Sequence, residues 1–405
     1  MFDFESRHII EALRSGVPSR TVGRCFSEAR APLLSTVQAR LDDVRDNGKS
    51  SGMIIRGRYG EGKTHLLNTV FSMAFENNMV VSLLPLTLEN PMDKMHTMYP
   101  ALVNHTYLPG REQPGFLDLL NDLSLNSDPS NVLQLFALKE LECDKLYYVL
   151  RTYLSASGKD DVQFPLRADL EGDFIANPAL KKMYRAEFKQ VAKFNTPFGK
   201  TLHTYDYIAF LSKLFEVKGY NGWVILFDEA ELMGRLGKKA RLNFYKNMNY
   251  FLHPQPNLIN TFTLFTFTNS YLDEVIDGKH DLKNLGELFP DKPEPIRTVI
   301  NDILASLGLA SLNQEEILHV VSLIRDYHSK AYNWTPASTD EQLQRVADAA
   351  GNVLRTRLRS VLEYLDQEYQ YGDAKAGTVG ALETESFEEV PSLEEMDTNN
   401  YLEPN

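Results

Sequence analysis

Cysteine is nearly absent: Cys25 and Cys143 are the only two in 405 residues. Their separation excludes a disulfide framework and offers no CxxC metal pair, so they read as reduced, partly buried thiols. Long apolar runs are missing too, and none approaches the roughly 20 residues that a membrane span needs. The stretch Met1 to Arg7 is acidic before it is basic and has no signal-peptide core, which predicts a cytoplasmic chain without membrane contact. Excess positive charge is also absent. Lys and Arg total 42 against 55 Asp and Glu, a net charge of −13, which disfavours coating of nucleic acid while leaving a local DNA contact open. No Lys or Arg occurs from Ala376 to Asn405, where Glu383, Glu385, Glu388, Glu389, Glu394 and further acids accumulate. Residues 372–405 therefore read as a disordered acidic tail that solvates the chain or docks a partner. The histidines show no HExxH spacing, so zinc has no support. Gly48-Lys49-Ser50-Ser51-Gly52 matches GxSxG, but it precedes a strand where a nucleophile elbow must follow one.

What is present is an apolar run, Met53-Ile54-Ile55, that breaks into a glycine-rich turn and then Gly62-Lys63-Thr64. This pattern predicts a nucleoside triphosphate site. Gly57, Arg58, Tyr59, Gly60, Glu61, Gly62, Lys63, Thr64 and His65 form the candidate phosphate loop. Its glycines tolerate positive φ, so main-chain N–H groups can converge on phosphate oxygens. Lys63 supplies a point charge for the β- and γ-phosphates, and the Thr64 hydroxyl suits Mg²⁺. A helix from Lys63 to about Asn77 aims its positive end at the phosphates. His65 reads as packing beside the loop.

The rest of the chain predicts an α/β fold. Met79 to Leu84, Trp223 to Phe227 and Thr261 to Phe267 are continuous apolar strands of a parallel sheet. Residues 1–50 read as helix, turn and helix, and 51–295 as a phosphate-binding core with a helical insertion at about 85–200. Amphipathic helices are expected there from Asn131 to Ser155 and from Pro178 to Phe194. Residues 296–371 read as a helical lid without a strand.

Asp228-Glu229 follows the second of these strands. Asp228 can hold Mg²⁺ through water beside Thr64, and Glu229 can orient or deprotonate an attacking water. Asn269, after the next strand, can hydrogen-bond that water, or simply form a turn with Ser270. Arg355 and Arg359 share one helix face, from which Arg355 could reach the nucleotide; a solvated basic face is the bland alternative. Arg235 or Arg241 could act in trans as an arginine finger, which leaves a nucleotide-dependent homo-oligomer open.

Arg7 to Arg20, Arg58 to His65 and Gly219 to Glu231 together resemble the ATP-binding proteins of BREX-type bacteriophage-exclusion systems, over roughly Arg7 to Tyr371. More distantly, the Val17-Pro18 turn and arginine-bearing lid are similar to the initiator branch of AAA+ ATPases. The resemblance implies a P-loop, AAA+-like core, ATP and Mg²⁺ as cofactors, and Val17, Pro18 and Arg20 near the base and ribose. It implies antiviral defence and partners among the other components of such a system, a helicase among them. Initiators append a winged-helix DNA-binding domain that has no counterpart here. Asp228 to Glu231 also resembles a helicase box, but such motors need two phosphate-binding cores. A P-loop kinase is disfavoured because Asp-Glu at a strand end suits water as the acceptor. A nucleotide-gated switch with negligible turnover is the other reading.

Overall fold

The computed structural model describes residues 3–15 and 30–372. Among these residues, β1 (Ser51–Gly57), β2 (Val80–Pro85), β3 (Thr106–Tyr107), β4 (Trp223–Asp228), β5 (Thr261–Thr268) and β6 (Leu307–Gly308) form one six-stranded sheet. The order is β3-β2-β4-β5-β1-β6, parallel throughout except where β3 pairs with β2. Every residue of β4 and β5 is buried, as expected of strands covered on both faces. Successive side chains part to opposite faces. Val224, Leu226, Phe262 and Leu264 meet the helices Ala31–Asn47 and Lys63–Glu76, while Trp223, Ile225, Phe265 and Phe267 join the core on the other side.

That second core also contains the insertion. Leu102, Leu133 and Val149 pack into the same cluster as Ile225 and Phe265, so the segment between β2 and β4 shares the core of the sheet. The single helix expected from Asn131 to Ser155 is two, Asp128–Lys139 and Lys145–Ser155. Asp206 causes the break, because its carboxylate accepts the backbone N–H groups of Glu142 at 3.0 Å and Cys143 at 2.9 Å. The helix expected to reach Phe194 runs from Asn177 to Phe188.

Three helices, Gln314–Tyr332, Asp340–Ala349 and Leu354–Tyr371, form the C-terminal unit. The first helix of the chain, Phe4–Ser15, completes its core: Ile9 and Ile10 pack with Ile317, Val321, Ile324 and Leu365. Arg14 pairs with Asp366 at 2.7 Å across the same junction. Residues 296–371 were expected to carry no strand, yet β6 adds its two residues beside β1.

Gly52 lies under the end of helix Lys238–Leu252, where a Cβ would stand 2.4 Å from the Leu252 Cα. Gly52→Ala is therefore expected to lower unfolding free energy by about 1–3 kcal/mol, since the obstacle is backbone. Urea denaturation checks this, and an unchanged midpoint would show that the helix moves aside freely.

Candidate nucleotide site

β1 delivers the chain at Gly57 to a turn that ends where helix Lys63–Glu76 begins. Gly60 (φ 76°) and Gly62 (φ 88°) are left-handed, a conformation that disfavours other residues. Gly62 is the N-cap, and no side chain caps the helix. The N–H groups of its first turn thus face the space in front of the sheet edge as anion donors. Lys63 is buried there; its Nζ donates to the Gly57 carbonyl at 3.4 Å and lies 3.5 Å from Glu231 Oε1.

β4 ends at Asp228, also buried. Thr266 Oγ1 donates to Asp228 Oδ1 at 2.6 Å, and the Glu229 N–H donates to the same oxygen at 3.0 Å. Both bonds end on Oδ1 rather than Oδ2. Glu229 is exposed and left-handed, φ 55° and ψ 33°. A non-glycine residue in that region marks backbone held by its surroundings, a condition concentrated at functional sites.

These groups line one cavity of about 690 Å³. Lys63, Thr64, Asp228, Glu229 and Glu231 form its polar wall, and Leu13, Leu34, Leu312, Leu354 and Leu358 line its apolar part. Tyr59, Gly60, Gly62, His65 and Arg355 border it as well, whereas Arg58 is exposed outside it. The Arg355 N–H donates to the Gly60 carbonyl at 3.1 Å, which ties the last helix to the phosphate turn. Glu61 is buried and its carbonyl accepts from Arg30 Nη2 at 2.7 Å.

Other expected residues fall elsewhere. Asn269 follows β5 next to the phosphate turn, since Thr268 is in register with Gly57, but it is exposed and does not line the cavity. Arg359 is exposed and outside it. Arg235 is half-buried on the turn Ala230–Arg235. Arg241, one of the two candidates for a trans arginine, is fully buried, which speaks against that role. It grips Asp281 at 2.7 Å and donates to the Leu236 carbonyl at 2.6 Å, so its guanidinium is committed inside its own chain. Val17, Pro18, Arg20 and the acidic tail lie outside the described residues.

The residues present fit a magnesium nucleotide. An uncapped helix start, two left-handed glycines and a buried lysine suit the phosphates, and the Thr64 hydroxyl and the Asp228 carboxylate suit a hard cation that takes oxygen ligands. Residues 3–126 and 137–379 match the family described as BREX system ATP-binding protein BrxC/D. The chain belongs to that family. None of the curated proteins matches it. A member of the BREX system ATP-binding proteins is what the phosphate loop and the Gly219 to Glu231 segment suggested, and both lie within the matched residues. No helix among the described residues is long and apolar enough to cross a membrane.

Three contributors to this site were not singled out from the sequence. Glu231 opposes Lys63, Thr266 fixes Asp228, and Arg30 reaches the loop from another helix. No sequence signal singles out Thr266: it reaches Asp228 because β4 and β5 pair in the register that sets Phe227 opposite Phe265.

Proposed function

We propose that this BREX protein is a Mg²⁺-dependent ATPase whose ATP binding and hydrolysis drive or gate assembly with the system's other proteins. The observation that supports this most is the shared cavity wall: Lys63 at the start of a helix, and Asp228 fixed by Thr266 with Glu229 projecting next to it. Lys63 and the first-turn N–H groups bind the β- and γ-phosphates. Thr64 and Asp228 hold Mg²⁺, which neutralises charge on the phosphates when bound. Glu229 orients the attacking water and takes its proton as oxygen bonds to the γ-phosphorus and the bond to the leaving ADP oxygen breaks. Arg355, which lines the cavity, is assigned to the phosphates, whereas Asn269 lies outside the cavity and is given no role there. Val17, Pro18 and Arg20 are assigned to the base and ribose.

Phosphate release from ATP tests this, measured with Mg²⁺ and with EDTA, alone and with DNA or partner proteins added. Release is expected in Mg²⁺ and to fall on the order of tenfold or more in EDTA. Equal rates would remove the metal from the mechanism.

The switch reading is favoured by a separate observation. Arg355 holds the Gly60 carbonyl and Arg30 the Glu61 carbonyl, so occupancy of the turn would be felt by the C-terminal helices without turnover. Protection of those helices from hydrogen exchange by a non-hydrolysable analogue, together with negligible phosphate release under all conditions, would select the switch.

A further inference from the structure

A triphosphate in this cavity would meet a further, half-buried cation that lies outside the glycine-rich turn. Arg30 precedes helix Ala31–Asn47 and lines the same cavity as Lys63. Its backbone is left-handed, φ 68° and ψ 37°, an unfavourable conformation for a residue with a Cβ. Two acceptors hold it there. Its backbone N–H donates to Glu316 Oε1 at 3.0 Å, and its Nη2 donates to the Glu61 carbonyl at 2.7 Å. Glu316 is itself fixed, because its other oxygen accepts the Asn313 N–H at 2.9 Å in a capping box.

This arrangement leaves the guanidinium with unused capacity. Nη1 lies 3.7 Å from where a Cβ on Gly62 would stand, so the group sits against the phosphate turn. The Nε is buried and has no hydrogen-bond acceptor among the described residues. Burial lowers the pKa of Arg30, with the Glu61 and Glu316 charges opposing, yet an arginine stays protonated. Lys63 already faces a carboxylate of the cavity wall, whereas Arg30 presents a planar fork that matches phosphate oxygens. Burying a charged donor with part of its hydrogen bonding unmet is unfavourable, and an anion with several oxygens answers it.

We propose that Arg30 is a phosphate-binding residue of the nucleotide site, donating from its guanidinium to the phosphate oxygens beside Lys63. The proposal rests on the ATP-site reading above. Its test compares Arg30→Met, Arg30→Lys and Lys63→Ala for equilibrium binding of MgATP and of inorganic triphosphate, with melting of the nucleotide-free protein as a control for folding. Arg30→Met is expected to weaken both ligands by about tenfold to a hundredfold, the effect of losing a charge-assisted hydrogen bond. Arg30→Lys, which keeps the charge without the fork, is expected to recover part of that loss and covers the case in which the Met variant does not fold. Wild-type affinity in the Arg30 variants, with binding lost in Lys63→Ala, would overturn this role alone. A loss confined to ATP and absent with inorganic triphosphate would place Arg30 at the base or ribose and also overturn it. Wild-type affinity in Lys63→Ala would instead bring down the site itself.

Discussion

Lys63→Ala is expected to reduce MgATP affinity by more than about 100-fold, since two effects add. The first is the lost charge-assisted bond from a buried ammonium at a helix N-terminus. The second is the carboxylate left behind: Glu231, 1% exposed and 3.5 Å from Nζ, would then face the phosphates as an uncompensated charge. The two effects separate in Lys63→Ala combined with Glu231→Gln, which should regain the share of affinity lost to the Glu231 charge, and stability in the nucleotide-free state, but not the share lost with the ammonium. Isothermal titration gives the affinities, and urea denaturation gives the stabilities. Near-normal MgATP binding by Lys63→Ala would remove the lysine from the site.

The second large effect is expected from Glu229→Gln, with turnover falling about 10²- to 10⁴-fold, the usual range for losing a positioned general base. Binding should survive, because Gln keeps the shape of the side chain while Asp228 and Thr266 keep theirs. The backbone hydrogen bond from residue 229 to Asp228 is also untouched, since it comes from the main chain. Single-turnover phosphate release at saturating MgATP separates the chemical step from binding. An unchanged rate would move the base elsewhere or mean that water attacks unaided.

How much of this was legible in the sequence depends on the distance over which each feature is determined. The buried strands β4 and β5 and the helix after Gly62 are set by contiguous residues, and their expected positions agree with the structure to within one or two residues. The packing of Ile9 and Ile10 against Ile317 and Leu365 joins the two ends of the chain, and no local pattern encodes it. β6 is two residues long and too short to show a period. The break between helices at 140–144 depends on Asp206, far along the chain. Nothing local to Arg241 marks it as buried, and only the position of Asp281 shows that it is held as a buried ion pair. In the site, Lys63, Thr64, Asp228 and Glu229 stand in readable motifs. Thr266 and Arg30 reach it through strand register and a left-handed turn, which belong to the fold.

The most direct measurement is a crystal structure of the protein with Mg²⁺ and a non-hydrolysable ATP analogue. The triphosphate should lie at the start of helix Lys63–Glu76, with Lys63 Nζ turned from Glu231 and the Gly57 carbonyl onto a phosphate oxygen. A triphosphate bound elsewhere, with the contacts of Lys63 to Glu231 and Gly57 intact, would contradict the assignment of this cavity as the nucleotide site.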